Sequence, residues 1–289
     1  MTDSKGPSIP PIPAVLGAIL SVVGGATVAK GLFPALGAAG TAGIRIGLSA
    51  VILAIVFRPP LRTLTSAQWR AVVPYGVVLG AMNLSFYLAI SRIPLGLAVT
   101  LEFVGPLGVA VAGSRRALDV AWVALAATGI ALIAPWSGNG IDPVGVGLAL
   151  LAGAFWAAYI IIGGRVSRAI AGGAAVSVGM LIAAITVMPF ALAAGGLAAL
   201  TPRLFATGLL VGLLSSAVPY TLEMIALRAL PARTFGILMS LEPAVAALCG
   251  LLFLREYLTA TQWAAVGLVI CASAGSTLTA KRGVAPVEA

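Results

Sequence analysis

Ten apolar runs, each about as long as a bilayer is thick, fill this chain almost end to end. A helix crosses the hydrocarbon core in about 20 residues, with a range of about 17–25. Runs of that kind lie at roughly 13–29, 37–57, 70–90, 95–113, 118–136, 143–163, 174–195, 204–226, 233–254 and 261–279. Of the 289 residues, 61% are hydrophobic and 9% charged. A soluble domain carries about 25% charge, so too little polar surface remains to coat a soluble particle. The expected fold class is an all-α membrane protein of ten transmembrane helices. Several connections are very short, such as "SRIPL" at 91–95, so neighbouring helices run antiparallel.

Lys and Arg orient the bundle, because cytoplasmic loops carry an excess of them. Lys5, Arg58, Arg62, Arg70, Arg115, Arg116, Arg165, Arg168, Arg228, Arg233, Lys281 and Arg282 fall on one side. Lys30, Arg92, Arg203 and Arg255 fall on the other. Twelve and four, with Arg45 inside the second run, make up all 17. Both termini are therefore expected in the cytoplasm. A net charge of +9 would suggest nucleic acid in a soluble chain; here it follows topology. Trp69, Trp122, Trp136 and Trp263 stand near run ends, as an interfacial belt requires. The start, "MTDSKGPSIPPIP", is polar and Pro-rich. The apolar run after it matches a signal-peptide core in length, but the many runs that follow favour an uncleaved first span.

The chain contains an internal repeat. "NLSFYLAISRIPLGLAVTLEFVGPL" (83–107) aligns without a gap to "YTLEMIALRALPARTFGILMSLEPA" (220–244), pairing Pro94 with Pro231 and Pro106 with Pro243. "RRALDVAW" and "REYLTATQW" follow with a small shift. Five spans per half is an odd number, so the second half enters the membrane with opposite polarity. The expected organisation is a tail at 1–12, a first five-helix repeat at 13–136, a second at 143–279 and a cytoplasmic tail at 280–289. Inverted repeats are the architecture of many secondary transporters, which work by alternating access about a midplane site. Channels and duplicated scaffolds are the competing uses.

Candidate site residues are the polar groups that hydrocarbon penalises. Glu102 precedes Pro106 by four residues, and proline frees the carbonyl four residues back. Glu102 thus offers a carboxylate and a spare backbone oxygen to an ammonium or to a structural Arg. In the second half Glu242 directly precedes Pro243, and Met239 holds the position matching Glu102. Three residues is close to one helical turn, so both acids can approach one central space. Arg45 either binds a substrate carboxylate or locks to Glu102 or Glu242, with the structural lock slightly favoured. Asn83, Phe86 and Tyr87 in the third run, Tyr220 in the eighth, and Trp156 and Tyr159 in the sixth complete a binding set for a small amphipathic molecule. Ordinary helix packing explains any single aromatic about as well. Pro106, Pro243, Pro219 and Glu223 form a hinge or gate set. "GVVLG" (76–80) and "GLLVG" (208–212) mark close helix packing.

Absent motifs narrow the function. There is no His, which removes Ser-His and Cys-His catalysis, HExxH zinc chemistry and any His proton relay. No GxxxxGK[ST] occurs, and the two cysteines, Cys249 and Cys271, lie in apolar runs as small buried residues rather than a disulfide. No enzyme activity, metal or cofactor is expected.

The stretch "PYTLEMIALRALPARTFGILMSLEPAVAALCGLLFLREYLTATQWAAVGLVI" resembles the second-half signature of the drug/metabolite transporter superfamily, in its ten-span EamA-domain branch. "FYLAISRIPLGLAVTLEFVGPLGVAVAGSRR" resembles the threonine and homoserine exporters of that branch, as does "GSTLT" at 275–279. The similarity covers nearly the whole chain from about residue 14. It implies a basket of ten helices in a bacterial-type inner membrane, exporting threonine, homoserine and other neutral amino acids, with protons as a possible coupling partner. Arg45 and the Glu242 element are generic to the branch. Glu102, then Asn83 and Tyr87, are the better candidates for a role specific to amino acids. A sister group exporting aromatic amino acids and dyes, or a broader metabolite or drug exporter of the superfamily, is the alternative reading.

Overall fold

A computed structural model of the chain describes residues 10–112, 117–133, 141–170, 172–219 and 238–279, with Leu222, Ala226 and Phe235. The helices are α1 (Pro11–Lys30), α2 (Phe33–Phe57), α3 (Ser66–Ile90), α4 (Leu95–Glu102), α5 (Val104–Ala112), α6 (Ala117–Ile133), α7 (Pro143–Ala169), α8 (Gly172–Ala193), α9 (Pro202–Gly212), α10 (Glu242–Leu254) and α11 (Ala260–Thr279). A π-helical turn, Leu213–Ala217, extends α9. The described residues contain no strand. Six helices are long and apolar enough to cross a membrane, and four shorter apolar helices cover 95–109, 120–132, 202–216 and 242–254. Each of the ten apolar runs thus carries a helix. Outward faces remain apolar, as at Ile55, Ile185, Leu252 and Phe253, which suits contact with lipid tails rather than water.

Local chemistry moves several helix ends away from the hydropathy boundaries. α3 starts ahead of its apolar run because Thr65 and Gln68 form a reciprocal capping box. α2 is kinked at Gly37, whose φ of 67° suits glycine; the uniform part of the helix begins beyond it, near the expected start. At α7, Asp142 accepts the Val144 N–H at 2.8 Å and pairs with Arg92 at 2.9 Å. The Arg92 hydrogen bond, then the Val144 N–H, hold the Asp142 carboxyl below the usual aspartate range. A lowered pKa stabilises the fold above the unfolded value and is lost as pH falls through the folded one. The thermal-stability difference between wild type and Asp142→Asn is therefore expected at neutral pH and should vanish on acidification, as read by melting curves in detergent.

The fourth run is broken in the middle. α4 ends at Glu102, Phe103 forms a turn, and α5 begins at Val104. In the repeat alignment Phe103 matches Ser240, and residues 240–241 form the turn that precedes α10. Pro106 and Pro243 each occupy the first turn of the following helix, where a missing N–H costs nothing. The break therefore recurs at matched positions. One expectation changes here. The Glu102 carbonyl does not face a ligand: it lies against α7, where a β-carbon on Gly153 would stand 2.7 Å from its oxygen. Gly105 abuts the Gly153 carbonyl in turn, so α5 and α7 cross with their backbones touching.

Elsewhere α3 packs along α7 and α8, α2 along α8, and α6 along α11, while α4 contacts both α7 and α10. Both GxxxG stretches lie at crossings: Gly76 and Gly80 meet α8, and Gly208 and Gly212 meet α2. Alternate connections gather at opposite ends. At one end Lys30 bonds Glu256 and the Ile93 carbonyl, and Arg92 reaches Asp142. At the other, Gln68 donates to the Ala169 carbonyl at 2.8 Å and Gly173 abuts Phe57. Cys249 and Cys271 are both free thiols, but Cys249 is half-buried and Cys271 exposed rather than both buried as expected.

Candidate functional site

Between the helices lies a cavity of about 240 Å³. α1 contributes an apolar wall of Ile19, Val22, Val23 and Ala26. α3 supplies Leu79, Met82, Asn83, Phe86 and Tyr87; α4 supplies Leu95, Val99 and Glu102; α7 supplies Trp156 and Tyr159. Arg45, Met180, Ser215, Pro219, Met239 and Glu242 close it. Eight of the nine expected binding residues therefore share one cavity; the ninth, Tyr220, lies outside the described residues. Of the hinge or gate set, Pro219 lines the cavity, Pro106 and Pro243 do not, and Glu223 lies outside the described residues. A larger cleft of about 370 Å³ opens at the Lys30 end, beside Gly31, Leu32 and Arg203. None of the expected binding residues lines it.

One wall of the cavity is cationic. Arg45 projects from α2 and donates to the Asn83 Oδ1, while Asn83 Nδ2 donates to the Leu79 carbonyl at 2.8 Å. That second bond turns the amide so that its oxygen faces the guanidinium. Arg45 also sits 5.3 Å above the centre of the Tyr87 ring, an attractive placement for a desolvated cation, and reaches the Ser215 carbonyl at 3.5 Å. Arg45 Nε and Tyr87 Oη are both buried without a hydrogen-bond partner. Leaving a buried donor unpaired costs about 1–3 kcal/mol. The expected lock between Arg45 and a carboxylate gives way to this arrangement. Among the described residues, the two ion pairs are Lys30–Glu256 and Arg92–Asp142.

Two acids line the same cavity. Glu102 is 8% exposed and Glu242 9%. Met239, the repeat mate of Glu102, lines the same space, so the two halves differ chemically inside one cavity. Aromatic side chains fill the remainder. Trp156 meets Phe103 edge-on at 5.1 Å, and Tyr159 stacks on Tyr75 at 4.9 Å with their hydroxyls 3.0 Å apart.

Sequence reasoning missed Tyr75 and a set of serines. Ser21 Oγ donates to the Leu214 carbonyl at 2.6 Å, Ser216 Oγ to Ser49 Oγ at 2.9 Å, and Ser49 Oγ to the Gly212 carbonyl at 3.4 Å. The π-helical turn disturbs the ordinary ladder at these carbonyls, and α1 and α2 supply the donors. The adjacent pair Ser215–Ser216, inside an apolar run just before Pro219, was the available signal. The cavity thus brings a guanidinium, two carboxylic side chains and apolar surface together. In a low-dielectric site such groups act more strongly than in water.

Residues 143–278 match the EamA-like transporter family. The threonine/homoserine exporter RhtA of Escherichia coli strain K12 is 47% identical over 274 residues, covering 94% of this chain and 92% of that protein. RhtA of Salmonella typhimurium strain LT2 matches with the same identity and coverage. The uncharacterized transporter YwfM of Bacillus subtilis strain 168 is 30% identical over 236 residues, 78% of each chain. A solved structure described as "Crystal structure of protein" has the same fold, with a TM-score of 0.58 at 18% identity, covering 95% of this chain and 99% of that one.

Proposed function

Because the chain belongs to the EamA-like transporter family, we propose that it exports small neutral amino acids, threonine and homoserine first among them. The observation that carries this reading is the split polarity of the cavity. An α-carboxylate meets the Arg45 guanidinium, while the α-ammonium meets Glu102 and Glu242, all of which line the cavity. Asn83 orients Arg45, and Phe86, Trp156 and Tyr159 supply the apolar flanks. Drug-sized ligands occupy sites of about 300–1,000 Å³. A cavity of about 240 Å³ favours a small amino acid over aromatic amino acids, dyes and larger metabolites. The names of the RhtA relatives support the same substrate class.

The six long and four short apolar helices are read as ten spans, in two five-helix repeats of opposite orientation at 13–136 and 143–279. The matched breaks at Phe103 and 240–241 support the repeat. The twelve-to-four distribution of Lys and Arg supports cytoplasmic termini in an inner membrane. Transport proceeds by alternating access, with Pro106, Pro243, Pro219 and Glu223 as the hinge and gate set. Protons, if coupled, are carried by Glu102 and Glu242, since the chain has no His.

Purified protein in liposomes should exchange threonine and homoserine in a counterflow assay, with and without a pH gradient. No flux of any neutral amino acid would sink the proposal, and stronger competition by cationic dyes than by threonine would favour the broader-exporter reading. Arg45→Lys should raise the KM for threonine at least about tenfold, because lysine replaces a planar fork of donors with a point charge. The concentration dependence of counterflow measures it.

A further inference from the structure

A connected polar cluster outside the cavity lies at the Lys30 end. Lys30 is the last residue of α1, and its ammonium bonds Glu256 Oε1 and reaches the Ile93 carbonyl at 3.5 Å. The other oxygen of Glu256 accepts the Leu95 N–H at 2.7 Å, at the free N-terminus of α4. Both side chains are mostly enclosed, at 16% and 15% exposure. One carboxylate thus joins α1 and α4, from the first half of the chain, to the loop after α10 in the second half. Leu95 also lines the cavity, as does Ala26, one turn before Lys30 on α1. The cluster therefore caps the cavity at this end, across the junction of the two halves.

The backbone is shaped to deliver that carboxylate. Arg255 adopts a left-handed conformation, φ 55°, which disfavours a residue with a side chain, and Glu256 N–H returns to the Gly250 carbonyl at 3.0 Å. A β-carbon on Gly250 would stand 2.8 Å from Glu256 Oε2. Glycine at 250 leaves the space into which the carboxylate folds.

We propose that Lys30, Glu256 and the Leu95 amide form a latch that seals the cavity at the Lys30 end and opens in each transport cycle. The inference rests on the transport reading of the same cavity, but its test reads access rather than flux. In a background of Cys249→Ala and Cys271→Ala, Ala26→Cys reports access to the cavity. A charged, membrane-impermeant thiol reagent is applied separately from each side of the membrane, without substrate. Glu256→Gln should raise the labelling rate from the Lys30 side by about tenfold, equivalent to about 1.4 kcal/mol of gate bias, and leave the rate from the other side unchanged or lower. Gly250→Ala, which keeps every charge and only displaces the carboxylate, should act in the same direction. The exchange Lys30→Glu with Glu256→Lys should slow labelling relative to Glu256→Gln. Unchanged labelling in both Glu256→Gln and Gly250→Ala would overturn the latch, as would equal acceleration from both sides, which is the signature of general loosening. A protein that shows latch-dependent labelling yet moves no amino acid would contradict the substrate reading and leave the latch standing.

Discussion

Glu102→Gln is expected to lower threonine counterflow at least about 30-fold while leaving the amount of folded protein in the membrane unchanged. The substitution keeps the shape of the side chain and removes its capacity to ionise. Removing one partner of a buried, hydrogen-bonded charge pair costs about 2–5 kcal/mol, and 2 kcal/mol corresponds to roughly 30-fold. In the described structure Glu102 forms no ion pair, so no internal partner is orphaned by the change and the bundle has no reason to fall apart. The loss should appear in flux and not in stability. A threonine flux within about threefold of wild type would remove Glu102 from the binding site. The same substitution at Glu242 provides the comparison, since its position is the one generic to the family resemblance.

Gly153→Val should do the reverse, destroying stability before any question of flux arises. A side chain at 153 has nowhere to go: its first carbon meets the Glu102 carbonyl carbon, oxygen and α-carbon, all of them backbone. Flexible neighbours can yield by rotating, whereas backbone at a helix crossing yields only if the helices separate. Overpacking a core costs about 1–3 kcal/mol and sometimes more, and this site is at the upper end. A melting temperature lower by about 10 °C or more, with loss of the monodisperse peak in detergent, is the expected outcome. Gly147→Val, on the same helix with nothing within 4 Å of the added carbon, is the control and should behave as wild type. If both variants melt alike, the contact of α7 with the end of α4 is not structural.

The positions of the helices were legible because hydrocarbon is an intolerant solvent. Every backbone group must be satisfied within its own segment, so length and hydropathy locate the runs. Several polar residues that line the cavity were legible for a related reason: Arg45, Asn83, Glu102 and Glu242 are costly to bury where they stand, and such residues mark function or pairing. The prolines marked the broken helices, although the break itself falls at Phe103 and 240–241, ahead of Pro106 and Pro243. What could not be read were the partners. The sequence offered Arg45 a carboxylate, and the fold supplied an amide, a carbonyl and a tyrosine ring. It offered the Glu102 carbonyl a ligand, and the fold supplied Gly153. Tyr75 looked like one more core aromatic until Tyr159 stacked on it.

By itself, then, the sequence determined that this chain is a bundle of apolar helices, and that a handful of costly polar side chains must converge or be paired. These are consequences of local composition and of the price hydrocarbon sets on charge and on unpaired backbone. Only the tertiary structure decided which groups meet. Ser21 and Leu214 are 193 residues apart, and Lys30 and Glu256 are 226 apart. Their encounters depend on where helices cross, and the crossings depend on a few glycines, such as Gly105 and Gly153, that let backbones touch.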